Sequence, residues 1–136
     1  MNTINVTFDH GKIFKAQIRG HEIAVDQPLD NGGEDTAPTP TELLVASLGT
    51  CVGLYANSFL RRHEIDTTGV SLEVTLEKAT DPDRISAFNI ALHVPAGVPE
   101  KLRAPLLRVA KSCYVHHTIA NHPAVEVGLV ETPKVA

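Results

Sequence analysis

The chain has 136 residues, 43% apolar and 21% charged, the proportions of an ordinary globular protein, so disorder and low-complexity architectures are excluded and one domain over residues 1–136 is expected. Twelve Lys and Arg against 16 Asp and Glu leave a net charge of −4. This gives no broad attraction for phosphate backbones or anionic lipid, and neither a nucleic-acid nor a membrane partner is expected.

Aromatic residues are too scarce for base-stacking platforms or aromatic cages, with no Trp, two Tyr and four Phe. Met1 to Gly11 lacks the basic start and apolar stretch of a signal peptide. A cytoplasmic chain is therefore expected, where a pair of cysteines, here Cys51 and Cys113, tends to be catalytic, redox-active or metal-binding rather than structural.

The first 25 residues predict a meander. Ile4, Val6 and Phe8 alternate, a turn follows at Asp9-His10-Gly11, Phe14, Ala16 and Ile18 alternate again, and His21 to Val25 follows Arg19-Gly20. Pro28 to Pro40, dense in Pro, Gly, Asn and Asp, predicts a loop long enough to hint at a functional role. Thr39-Pro40-Thr41-Glu42 is a capping box with Pro at the first helical position, opening a helix to about Arg62. Leu43 to Leu60 carries no charge and reaches the lower edge of a membrane span, but Ser47, Gly49, Thr50, Gly53, Asn57 and Ser58 dilute it. The reading is a helix buried in protein on all sides, with Gly49 and Gly53 allowing another backbone close. A chain of this size struggles to wrap such a helix alone, so a homodimer with this helix near the interface is inferred.

Val70, Leu72, Val74 and Leu76, then Phe88, Ile90, Leu92 and Val94, predict a hairpin around Thr80-Asp81-Pro82-Asp83. Pro99 and Glu100 open a second helix, on which Leu102, Leu106, Val109, Ala110 and Cys113 share one face. Val125, Val127 and Leu129 predict a last strand. The order has no βαβ rhythm, and the fold class is α+β.

Cys51 reads first as a small core residue, since free cysteine is among the most buried residue types, and second as a nucleophile. The thiolate is the reactive species, and a mid-helix position gains nothing from the helix N-terminal dipole, so an active Cys51 needs a cation beside it. Arg19 is the candidate, with Glu42 able to orient it, although the capping box already occupies Glu42. Cys113, His116, His117 and His122 form a second cluster, but Cys-x-x-His-His is no zinc signature and neither metal nor cofactor is expected. His10, His21, His63 and His93 are scattered, and the turn aspartates Asp9, Asp26, Asp81 and Asp83 need no role beyond turn chemistry.

Pro38-Thr39-Pro40-Thr41-Glu42-Leu43-Leu44 followed by Ala46-Ser47-Leu48-Gly49-Thr50-Cys51 resembles the signature of the OsmC/Ohr superfamily, and Cys113-Tyr114-Val115-His116-His117-Thr118 resembles the second-cysteine region of a divergent OsmC-like branch. The resemblance implies an α+β fold with antiparallel sheets around a long buried central helix, in an intertwined homodimer with active sites at the subunit interface. It implies a thiol-dependent peroxidase for organic hydroperoxides, acting in oxidative or osmotic stress defence and re-reduced by a dithiol. Cys51 matches the peroxidatic cysteine, Cys113 the resolving cysteine, and Arg19 lies in the region of the arginine that stabilises the thiolate. Aligned on Cys51 without gaps, the family glutamate falls on Thr41, and Glu42 lies one position later, a rotation of about 100° on a helix. The alternative reading is a non-catalytic dimer binding an apolar small molecule at the subunit interface.

Overall fold

A computed structural model describes residues 3–133. Three strands, β1 (Asn5–His10), β2 (Ile13–Ile18) and β3 (His21–Val25), pair antiparallel in sequence order, as the alternation predicts. The β2–β3 connection is a two-residue turn in which both Arg19 (φ 49°) and Gly20 (φ 86°) are left-handed. Both positive angles match the twist of a tight hairpin. Glycine adopts them freely; arginine does not.

The loop after β3 is folded around one carboxylate. Asp26 is 1% exposed. Its Oδ1 accepts from the Gln27 amide at 2.7 Å, and its Oδ2 from the Thr36 amide at 3.0 Å, the Thr36 hydroxyl at 2.8 Å and the Glu34 amide at 3.3 Å. The Asp26 amide donates to Pro38 O at 3.1 Å and closes the loop at its base. Gly33 passes so close to Gln27 that an added Cβ would lie 1.9 Å from the Gln27 carbonyl oxygen, so no side chain fits there. His10, at the end of β1, bridges Asp9 Oδ2 at 2.6 Å and Glu34 Oε2 at 2.9 Å, tying the sheet to the loop. Asp26 and His10 thus carry structural roles that their sequence neighbourhoods did not signal.

The Thr36 amide, then the other donors, holds the Asp26 carboxyl below the usual carboxylate range, against the opposing effect of burial. A depressed folded pKa contributes stability above the unfolded value of about 3.9 and loses it as pH falls through the folded one. Asp26→Asn should therefore lower the urea midpoint at pH 7, and the gap from wild type should narrow as the pH falls below about 4. A gap independent of pH would show that the negative charge contributes nothing.

Helix α1 (Pro40–Arg62) starts as the capping box requires: the Glu42 amide donates to Thr39 Oγ1 at 3.1 Å, and the Thr39 amide to Glu42 Oε1 at 3.4 Å. It is long and apolar enough to cross a membrane, yet packs on strand β4 (Ser71–Ala79) and on helices α2 (Glu100–Lys111) and α3 (Tyr114–Ala120). Only one stripe is buried, through Leu48, Gly49, Val52, Ala56, Phe59 and Leu60. The expected burial on all sides is corrected, because Leu44 is 46% and Leu54 68% exposed on the other side. The small glycines receive β4 rather than a second helix: a Cβ at Gly49 would lie 3.1 Å from Val74, and one at Gly53 3.0 Å from Leu72.

β4 pairs antiparallel with β5 (Arg84–His93), placing Leu72 opposite Leu92, Val74 opposite Ile90 and Leu76 opposite Phe88. The core combines α1, this hairpin, α2 and α3, and no residue of β1–β3 enters it. Two further expectations are corrected. α2 ends at Lys111, where the Ser112 hydroxyl takes the Val109 carbonyl at 2.6 Å, so Cys113 lies beyond it rather than on its last turn. Residues Val125, Val127 and Leu129 form no strand and are more than 80% exposed; among the described residues no strand pairs with them.

Candidate active site

Cys51 sits mid-way along α1, half-buried, three residues after the buried Leu48 and one before the buried Val52. Cys113 is the N-cap of α3 and has no solvent exposure. Its backbone is extended (φ −66°, ψ 147°), and its Sγ accepts from the His116 amide at 3.2 Å. The packing of α3 on α1 brings the two thiols together, both reduced. Burial raises the Cys113 thiol above the ordinary cysteine value; the His116 amide pulls it down, and the adjacent Cys51 thiol pushes it up further. Cys113 is thus a protonated thiol at neutral pH, placed beside a more accessible one.

The other two candidates lie elsewhere in the chain. Arg19 is exposed at the tip of the β2–β3 hairpin, and among the described residues it makes no hydrogen bond or ion pair with another side chain. Glu42 is exposed and bonded to Thr39 in the cap. Among the described residues no group of three or more His, Cys, Asp or Glu is placed to hold a metal ion, and the His116 and His117 rings stack on each other with centroids 6.1 Å apart.

A groove of about 1000 Å³ opens at the N-terminal end of α1. Its apolar wall is Leu44, Leu76, Ile85, Phe88 and Ile119, and its rim carries Glu42, Lys78, Arg84 and His122. Neither cysteine lines it. Leu44 lies seven residues before Cys51, about two helical turns along nearly the same face, so the groove lies beyond the thiol pair along the axis of α1.

The sequence profile of the OsmC-like protein family matches residues 32–128. Among solved structures, a protein of Psychrobacter arcticus 273-4 named for osmotic stress induction and detoxification response is 32% identical, with 87% of this chain and 88% of that one covered and a TM-score of 0.78. An OsmC-like protein of Mycoplasma pneumoniae shares the fold at 18% identity, with 90% and 89% covered and a TM-score of 0.75. An organic hydroperoxide resistance protein of Elizabethkingia anophelis shares it at 23% identity, with 89% and 91% covered and a TM-score of 0.58. A search of curated proteins finds no match. With the family profile covering most of its length and a solved relative 32% identical across 87% of it, the chain belongs to the OsmC-like protein family.

Proposed function

We propose that this protein is a cytoplasmic thiol-dependent peroxidase that reduces organic hydroperoxides as a homodimer, in defence against oxidative or osmotic stress. The observation that carries the reading is the meeting of the chain's only two cysteines, 51 on α1 and 113 at the start of α3, one partly accessible and one fully buried. The Cys51 thiolate attacks the distal oxygen of the hydroperoxide. The O–O bond breaks, the alcohol leaves with a proton, and Cys51 becomes a sulfenic acid. The Cys113 sulfur displaces water from it, giving a disulfide that an external dithiol returns to two thiols.

A second copy completes the site in this reading. The chain exposes 10612 Å², whereas a folded monomer of its mass exposes about 6,900 Å². An excess of this size is what permanent, interlocked dimers bury. It is apolar where a partner would need it: Val6, Phe8 and Phe14 on the N-terminal sheet, Leu54 on α1, and Val125, Val127 and Leu129 in the tail are all more than 40% exposed.

In the proposed dimer the partner's hairpin tip brings Arg19 to the Cys51 thiolate, and Glu42 orients the guanidinium. The strained backbone supports a functional role for Arg19, since a left-handed arginine costs about 1–2 kcal/mol that Asn or Gly would avoid. Arg19→Gly should thus raise the thermal midpoint by a few degrees while slowing peroxide reduction at least tenfold. A variant both stabler and fully active would remove Arg19 from the site.

The test of the activity is hydroperoxide-dependent consumption of a dithiol. Wild type should turn over, Cys51→Ser should not, and Cys113→Ser should consume one equivalent of peroxide and stop. The groove favours a second reading, a dimer that binds an apolar small molecule with inert cysteines. Under that reading a thiol reagent labels Cys51 only on unfolding; under the first it labels it rapidly at neutral pH.

A further inference from the structure

The Cys113 sulfur faces two partners, the His116 amide and the Cys51 thiol. Reduced, its Sγ is the cap of α3, accepting from the His116 amide at 3.2 Å. In a disulfide, Sγ must lie about 2.05 Å from the Cys51 sulfur, with a fixed torsion about that bond. Cys51 belongs to α1, a long helix anchored by the core, while α3 has seven residues and no buried residue of its own. The short helix is the less firmly held of the two. Its remaining hold is the half-buried packing of Val115 and Ile119 on the core. A first-turn amide left without its cap must find water or fray.

We propose that formation of the Cys51–Cys113 disulfide uncaps α3, so that oxidation of the thiol pair is reported as a loosening of this helix. The consequence reaches the groove, because Ile119 lies on α3 and His122 follows it, and both line the groove wall. The oxidised protein would therefore present a different surface to a dithiol reductant from that of the reduced one. The balance is that of the proposed peroxidase cycle: two thiols and one organic hydroperoxide give a disulfide, an alcohol and water. The switch rests on that reading only for its physiological oxidant, since any two-electron thiol oxidant makes the same bond.

The test is amide hydrogen exchange read by mass spectrometry on the full-length protein, reduced and after oxidation with diamide. Loss of two hydrogens by mass, with no intersubunit crosslink on a non-reducing gel, confirms the intrachain bond. Exchange at His116 and His117 should then be roughly three- to tenfold faster in the oxidised protein, the size expected for loss of one cap. Cys51→Ser, which keeps the Cys113 cap and cannot form the bond, should show no change with diamide. Cys113→Ser, which puts a preferred capping hydroxyl at the same place, should also show none. If the intrachain disulfide forms and the α3 amides exchange as before, the switch is overturned and the peroxidase reading stands. If diamide forms no intrachain disulfide at all, both fall.

Discussion

Cys51→Ser should leave no steady turnover of an organic hydroperoxide, a loss of roughly a thousandfold or more, the scale seen when a nucleophile is removed from an active site. A serine hydroxyl is not ionised near neutral pH and forms no reducible oxygen adduct, so the substitution removes the chemistry while changing one atom. No other thiol replaces it. The one remaining cysteine, Cys113, has no solvent exposure and is held protonated by burial, so a peroxide oxygen has no approach to its thiolate. The substitution is conservative for the fold, because position 51 is half-buried and Thr50 beside it already places a hydroxyl on α1, bonded back to the Ala46 carbonyl at 2.8 Å. The thermal midpoint should therefore move by only a few degrees. The check is dithiol consumption under excess hydroperoxide for both proteins at matched concentration. Turnover by the variant within tenfold of wild type would show that peroxide is reduced without Cys51.

The local rules were legible wherever one stretch of chain decides its own structure. The capping box at Thr39 and Glu42 and the alternation through Leu72–Leu76 and Phe88–Leu92 act within a few residues, and each folds as its pattern implies, whereas the turn read at Asp9-His10-Gly11 begins later because Asp9 and His10 still belong to β1. What was lost depends on distant partners. The spacing Leu102, Leu106, Val109, Ala110, Cys113 marks the apolar side correctly, since Cys113 is buried. It cannot show that the Ser112 hydroxyl ends the helix and turns the cysteine into the cap of another. Asp26 looks like any turn aspartate until Thr36, ten residues on, folds back to donate to it. Val125, Val127 and Leu129 alternate as a strand should, but a strand is a relation between two segments, and among the described residues none pairs with them. The thiol pair was legible through its family resemblance; its approach comes from α3 packing on α1, which no spacing of 62 residues encodes. Arg19 is exposed at the tip of the β2–β3 hairpin and does not belong to the elements that carry the pair; in the proposed dimer a second copy would supply it.

Leu54→Asp tests that last point with a large effect. In the isolated chain Leu54 is 68% exposed on α1, and substitution at so open a position ordinarily changes stability by less than about 0.5 kcal/mol. If the exposed side of α1 faces a second copy, the same change places a carboxylate in an apolar interface, twice over by symmetry, with no cation of α1 near it: the helix carries Arg61 and Arg62 only in its last turn. An unpaired buried charge costs several kcal/mol, and each 1.4 kcal/mol weakens association tenfold. The variant should therefore sediment as a monomer at micromolar concentration where wild type sediments as a dimer. It should also lose peroxidase activity although both cysteines remain, because the partner's Arg19 is no longer delivered. Leu54→Ala separates the causes: it trims the same contact without introducing charge, and should remain dimeric and active. Should Leu54→Asp sediment and react like wild type, α1 would not face a second copy, and the cation for Cys51 would have to come from within the chain.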